Sequence, residues 1–119
     1  MTIREIMELL DAQVLACDEY LEHEVHSACG SDMMSDVLAY VKDQAVLLTG
    51  LVNTQVIRTA EMMDMRCVVF VRSKQPSGEI LTLAEESGIV VLATKKRMYE
   101  ACGKLYQGGL KPEEVTDYE

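Results

Sequence analysis

Three short apolar segments, at residues 45–49, 67–71 and 89–93, recur at even spacing through the second half of the chain. They lack the alternation of polar residues that a strand with one exposed face shows. A strand that is apolar almost throughout is buried on both faces, as the strands of parallel sheets are. We therefore predict that these segments are neighbouring strands of one parallel sheet.

Segments with helical spacing of apolar residues separate these strands, at residues 53–64 and 77–87, and a third such segment follows the last strand. Asn53 stands where a helix N-cap is expected, and Gly88 stands where a glycine ends a helix. The last helix is predicted to end at the glycines of residues 108–109. The apolar positions that mark these three helices are Val56, Ile57, Ala60, Met63, Ile80, Leu83, Ala84, Met98, Ala101, Cys102 and Leu105.

The N-terminal segment predicts a helix followed by two short strands. Residues 2–11 place apolar side chains on one helical face, and Thr2 with Glu5 matches a capping box. Residues 13–16 are a weak strand candidate. An acidic turn at residues 18–24 and a short strand at 25–29 follow in our prediction.

A further helix is predicted from about residue 32 to residue 43. Either Ser31 or Asp32 can cap this helix, and a cap is a simpler role for Asp32 than paired acid–base chemistry with Asp36. Asp36 is expected to face water. The predicted buried stripe of this helix consists of Met33, Met34, Val37, Leu38 and Val41.

The alternation of strands and helices predicts the architecture. Parallel strands that are joined through helices need right-handed crossovers, which place helices on both faces of the sheet. We predict a three-layer α/β domain with a mostly parallel sheet of about five strands. Residues 1–110 are expected to form this single domain, and residues 111–119 an acidic, solvated tail.

Composition and charge narrow the choice of partners. The chain has 119 residues, of which 49% are hydrophobic, so a core can form without a disulfide or a metal. The net charge of −9 repels phosphate backbones and anionic lipid. We therefore expect neither a nucleic acid nor a membrane among its partners.

The four cysteines indicate a reducing compartment. They are Cys17, Cys29, Cys67 and Cys102, and no two of them form a Cys-x-x-Cys pair. Cys67 and Cys102 fall at apolar positions, where a free thiol packs as a small hydrophobe. The chain begins directly with a helix pattern, and no apolar run approaches the ~20 residues of a membrane span. We expect a cytoplasmic protein without a cofactor.

Candidate binding residues lie where the predicted strands end. Ligands of parallel sheets bind outside the carboxyl ends of the strands. Five of the 11 basic residues follow the last two strands, a concentration that favours a small anion such as a nucleotide phosphate. The alternative is that these side chains only solvate loops. The candidate ligand-binding residues are Gly30, Ser31, Asp32, Thr49, Gly50, Asn53, Arg72, Thr94 and Lys95.

Other chemical motifs are weaker. The phosphate-loop and dinucleotide glycine patterns are absent around Gly50. His23, His26 and Cys29 are spaced so that successive side chains point to opposite faces of a strand, which argues against a metal site. An enzyme that uses Cys29 or Asp32 is a distant alternative because no supporting groups can be assigned.

The clustered methionines leave two interpretations open. Spacing places each of them in the core more readily than on the surface, but an adaptable partner surface is the alternative. The methionines concerned are Met33, Met34, Met62, Met63 and Met65.

The order of segments resembles the DRTGG domain family over about residues 1–108. The matching segments are Ile3-Arg4-Glu5-Ile6, Ala12-Gln13-Val14-Leu15, Gly30-Ser31-Asp32-Met33-Met34-Ser35, Leu47-Leu48-Thr49-Gly50 and residues 89–94. Met34-Ser35 falls on the family's Met-Ser at the start of a helix, and Thr49-Gly50 on its strand-end turn. The contiguous Asp-Arg-Thr-Gly-Gly string is missing, and Leu51 stands where relatives often carry an acidic residue.

The resemblance implies a fold like that of the N-terminal domain of HPr kinase/phosphorylase. It implies a regulatory, non-catalytic role, as for DRTGG domains beside CBS domains in pyrophosphatases and for those that occur alone in anaerobic bacteria. From it we expect a stand-alone regulatory module, a homodimer that acts on a hydrogenase- or kinase-associated partner enzyme. The alternative is a sensor that binds a nucleotide or similar small anion at the strand ends.

Overall fold

The computed structural model describes residues 1–40 and 44–112. Within them, helices and strands alternate as the apolar pattern predicts. The helices are α1 (Ile3–Leu10), α2 (Met34–Tyr40), α3 (Thr54–Met62), α4 (Gly78–Ser87) and α5 (Met98–Gln107). The strands are β1 (Gln13–Ala16), β2 (Ser27–Gly30), β3 (Ala45–Thr49), β4 (Cys67–Phe70) and β5 (Val90–Ala93), and a short 3-10 helix covers Asp18–Tyr20.

The five strands form one sheet in the order β1-β5-β4-β3-β2. Strands β2 to β5 are parallel, and β1 is antiparallel to β5. The register is even across the parallel part, where Gly30 pairs with Leu48, Leu48 with Val69, and Val69 with Leu92. The predicted mostly parallel sheet of about five strands is confirmed.

The central strands are buried on both faces, and helices cover each face. Alternate residues such as Val46 and Leu48 pack with α1 and α5. Their neighbours Ala45 and Leu47 pack with α2, α3 and α4 on the other face. Each residue of β3, β4 and β5 is buried, which confirms the predicted three-layer α/β architecture.

Side-chain caps begin three of the helices. The Thr2 hydroxyl accepts a hydrogen bond from the Glu5 amide at 3.1 Å, and the Glu5 carboxylate accepts one from the Thr2 amide at 2.9 Å. This reciprocal pair is the predicted capping box. Asn53 caps α3 through the Val56 amide at 3.1 Å, and Ser77 caps α4. No helix among the described residues is both long and apolar enough to cross a bilayer.

Two expectations about buried methionine are wrong. Met33 is 59% exposed and Met62 is 72% exposed. Met33 precedes the first turn of α2, and Met62 is the last residue of α3, so both lie at ends of short helices that the sheet does not cover. Met65 is buried as expected.

The predicted stripe of α2 is also too wide. Leu38 is exposed, and among the described residues of this stripe only Val37 is fully buried. Helix α2 packs mainly against α3. Val41 and the predicted end of this helix at residue 43 lie outside the described residues. Most of the acidic tail lies outside them as well. Strand β2 starts at Ser27, later than predicted, since the Val25 amide donates to the Met1 carbonyl.

The end of α4 provides a stability test. Gly88 has φ of 70°, a left-handed conformation that costs an L-residue about 1 kcal/mol or more. We expect Gly88→Ala to lower the free energy of unfolding by about 1 kcal/mol in urea denaturation. Gly78→Ala is the control, because a Cβ at Gly78 meets nothing within 4 Å and its backbone is ordinary. Equal effects of the two substitutions would contradict this explanation.

Candidate functional site

The parallel register brings the ends of β2, β3, β4 and β5 to one edge of the sheet, called here the carboxyl edge. The hydrogen-bond ladder continues past the strands, since the Ser31 amide donates to the Leu48 carbonyl and the Thr94 amide to the Phe70 carbonyl, both at 3.0 Å. The candidate residues after each strand therefore lie at the same edge. They do not form a single group.

One of two groups of candidate residues at this edge consists of Asp32, Thr49, Gly50 and Arg72. One carboxylate oxygen of Asp32, Oδ1, accepts hydrogen bonds from the Gly50 amide at 2.7 Å and from the Thr49 hydroxyl at 3.0 Å. The other, Oδ2, lies 3.7 Å from Nη2 of Arg72. Both charged side chains are about half exposed. We call this group the Asp32 cluster.

The role predicted for Asp32 as a helix cap is wrong. Its carboxylate points to the turn after β3, because that turn presents an amide and a hydroxyl beside the end of β2. The Gly50 amide is the main reason why the pKa of Asp32 lies below its ordinary value. The Thr49 hydroxyl and the positive charge of Arg72 lower that pKa further. The Ser31 hydroxyl accepts from the Met33 amide instead, at 3.0 Å.

Gly50 leaves room for the Arg72 side chain to cross the turn. A Cβ at residue 50 would overlap the guanidinium group, which would then have to move aside. Arg72 and Ser73 both have left-handed backbone conformations, with φ of 63° and 60°. Their amides donate to the carbonyls of Lys96, at 2.8 Å, and of Thr94, at 3.1 Å, which ties this turn to the end of β5.

The second group lines a cavity of about 300 Å³ between the ends of β4 and β5 and the start of β1. Thr94 is buried there, and its hydroxyl donates to the Leu10 carbonyl at 2.7 Å. Lys95 is exposed at the rim. The cavity is lined by Leu10, Asp11, Gln13, Ser73, Gln75, Ala93, Thr94, Lys95 and Lys96. We call it the Lys95 cavity.

Three candidate residues belong to neither group. The side-chain oxygen of Asn53 is engaged in capping α3. Gly30 lies under α5, where a Cβ would approach the Cys102 sulfur to 2.7 Å. The Ser31 side chain holds the backbone of Met33. The sequence did not single out Gln13 and Gln75 as cavity residues. Gln13 comes to the cavity through the antiparallel pairing of β1 with β5.

The thiols are placed for packing. Burial raises the pKa of Cys17 to about 12, and the nearby Glu85 carboxylate adds to that shift. Burial also raises the pKa of Cys67 and of Cys102. A thiol with a raised pKa stays protonated near neutral pH and is a poor nucleophile. Over residues 1–40 and 44–112, no three His, Cys, Asp or Glu side chains come together as a metal site.

From the lowered pKa of Asp32 we predict how the free energy of unfolding depends on pH. A carboxyl group whose pKa is lower in the folded protein stabilises it above the unfolded pKa, near 4, and loses that contribution as the pH falls through the folded pKa. We expect Asp32→Asn to lower the free energy of unfolding at neutral pH, and the deficit to shrink as the pH falls below about 4.

Urea denaturation at several pH values measures this deficit. Asp36→Asn is the matched control, since Asp36 is an exposed carboxylate on α2. A deficit for Asp32→Asn that is the same at every pH, or that the control reproduces, would contradict the charge-dependent role of Asp32.

A similar fold occurs in the regulatory region of an enzyme. The crystal structure of the CBS and DRTGG domains of the regulatory region of Clostridium perfringens pyrophosphatase, complexed with the activator diadenosine tetraphosphate, has a similar fold. The two chains are 15% identical, with a TM-score of 0.71 and coverage of 89% of this chain and 46% of that one. This chain thus spans less than half of that structure's length.

The sequence comparisons agree with the resemblance noted above. No curated protein matches the sequence of the chain. The model of the DRTGG domain family, in contrast, matches residues 5–107. Because that match covers most of the 119 residues, the chain belongs to the DRTGG domain family.

Proposed function

We propose that this chain is a non-catalytic regulatory module that works as a homodimer in the cytoplasm and acts on a partner enzyme. Membership of the DRTGG family supports a regulatory role. The similar structure belongs to the regulatory region of an enzyme, which supports an enzyme as the target. The observation that carries the proposal is an exposed aromatic face on α5.

Two tyrosines of α5 extend into solvent on the same side. Tyr99 is 93% exposed and Tyr106 is 55% exposed. They lie two helical turns apart and therefore share one face of the helix. Cys102 and Gly103 lie between them and form the floor of an open groove. Exposed tyrosines around a groove are typical of protein interfaces, where aromatic side chains supply much of the binding energy.

The position of α5 strengthens the case for association. This helix packs over β2 and β3, and Met98 and Cys102 contact the end of β2 near Gly30. Strand β2 is the outermost strand on that side of the sheet. The aromatic face thus lies beside the outermost strand of the sheet, and we place the dimer contact there.

Light scattering on the purified chain tests the dimer. We expect a mass of two chains for the wild type and of one chain for the Tyr99→Ser/Tyr106→Ser variant, because that variant loses the aromatic contact area. Met62→Ser is the control, since Met62 is also exposed but lies on a helix of the opposite face. A monomeric wild type, or a double variant that stays dimeric, would refute the proposed contact.

A second candidate function is a sensor of a nucleotide or a similar small anion. The Lys95 cavity favours it, because Lys95 and Lys96 supply positive charge there, while Ser73 and the glutamine side chains supply hydrogen-bonding groups. The similar structure was solved with diadenosine tetraphosphate, a polyanionic nucleotide. Lys96 is already paired with Glu100 at 3.8 Å, so Lys95 is the freer of the two cations.

Thermal unfolding in the presence of nucleotides tests the sensor. A bound nucleotide should stabilise the protein by about 2.7 kcal/mol at one hundred times its dissociation constant. The Lys95→Glu/Lys96→Glu variant should lose that stabilisation. Lys74→Glu, an exposed lysine next to the cavity-lining Ser73 and Gln75, should retain it. If no nucleotide shifts the wild type, or if the double charge reversal leaves the shift intact, the Lys95 cavity is not the site.

A further inference from the structure

The turn after β3 assembles hydrogen-bond donors of the kind that bind an oxyanion. The Gly50 amide and the Thr49 hydroxyl point at one oxygen position, and the Arg72 guanidinium reaches the same group from the end of β4. A backbone amide, a hydroxyl and an arginine around one anionic group form a common arrangement for recognising phosphate and carboxylate oxygens. The anion that these donors contact is the carboxylate of Asp32, a residue of the same chain.

The Asp32 carboxylate occupies the position where a ligand oxygen would bind. Its Oδ1 accepts from the Gly50 amide at 2.7 Å and from the Thr49 hydroxyl at 3.0 Å, which are short, direct hydrogen bonds. The contact of Oδ2 with Arg72 is longer, at 3.7 Å. Both charged groups are about half exposed, so they can separate into solvent, whereas Thr49 and Gly50 beneath them are buried.

Gly50 leaves space for the arginine over the turn. The guanidinium lies where the Cβ of any other residue at position 50 would be, so a larger residue would move it from this position. A glycine at the turn therefore lets the positive charge lie directly over the backbone that supplies the amide. The same arrangement would let Arg72 contact an external anion that is bound to that amide.

We infer that the Asp32 cluster is a phosphoryl-binding site that the Asp32 carboxylate keeps occupied, so that a phosphoryl group binds there only by displacing Asp32. A phosphoryl group has three terminal oxygens and up to two negative charges. It can therefore accept from the amide, the hydroxyl and the arginine together, whereas Asp32 reaches the arginine only weakly.

This inference deepens the sensor proposal and rests on it for the natural ligand, but it concerns the Asp32 cluster and not the Lys95 cavity. Displacement of Asp32 would release the residues that lead into α2, where Met33 is exposed. Binding of a phosphoryl group at the carboxyl edge would in this way change the exposed surface around Met33.

Isothermal titration of the full chain with inorganic phosphate at neutral pH tests the inference. We expect Asp32→Ala to bind phosphate about tenfold or more tightly than the wild type, because the donors are left without their internal anion. Asp36→Ala removes an equal charge from α2 and should leave the affinity close to that of the wild type. Asp32→Ala/Arg72→Gln should lose the gain.

The outcomes separate this inference from the sensor proposal. No gain for Asp32→Ala over Asp36→Ala, or a gain that survives Arg72→Gln, would overturn the phosphoryl site. Nucleotide binding that depends only on Lys95 and Lys96 would then leave the sensor proposal intact. If Asp32→Ala fails to fold, Asp32→Asn replaces it, and a phosphate-dependent shift of the Gly50 amide resonance, larger than in the wild type, is the expected readout. An unshifted resonance would overturn the inference.

Discussion

Burial of the central strands on both faces is the constraint on which the molecule depends. Residues of β3, β4 and β5 alternate between two helix-covered cores, and each of them is removed from water. A slip of one residue in the pairing would exchange the side chains of the two faces. The packing therefore fixes the register, and the register determines which residues follow the strands at the carboxyl edge.

The carboxyl edge is where polar groups must find partners outside the regular ladder. Thr49 and Thr94 are buried hydroxyls at the ends of β3 and β5. Thr94 donates to the carbonyl of Leu10 at 2.7 Å, which joins the end of α1 to the sheet. Thr49 donates to Asp32 at 3.0 Å, which joins the ends of β2 and β3. The same bonds that satisfy buried groups also shape the two candidate sites.

The sheet could be predicted from the sequence because strands that are buried on both faces are apolar almost throughout. The runs at residues 45–49, 67–71 and 89–93 correspond to β3, β4 and β5, and the caps at Thr2, Asn53 and Gly88 were visible in residue type alone. The exposure of Met33 and Leu38 was not visible. Helical spacing predicts which side of a helix is apolar, but not how far the sheet extends beneath it.

The sequence predicted the edge of the sheet at which the candidate residues lie, but not which of these residues contact one another. An aspartate that precedes a helix in the sequence is expected to cap that helix. The hydrogen bonds of Asp32 to the turn after β3 could be predicted only from the order of the strands in the sheet. The division into the Asp32 cluster and the Lys95 cavity depends on Arg72 and Ser73, whose left-handed backbones turn the chain toward β5. The residue types at these two positions do not predict a left-handed conformation, because neither is glycine or asparagine.

The Asp32 cluster depends most directly on the hydrogen bond between Asp32 and Gly50, and NMR can observe both partners. The measurement is a pH titration that follows the carboxyl carbon of Asp32 and the amide proton of Gly50 together. We expect both to report one midpoint, below the ordinary aspartate pKa near 3.9, because loss of the charge weakens their hydrogen bond. An Asp32 midpoint at or above that value, or a Gly50 amide shift that does not change with pH, would show that this hydrogen bond does not stabilise the carboxylate.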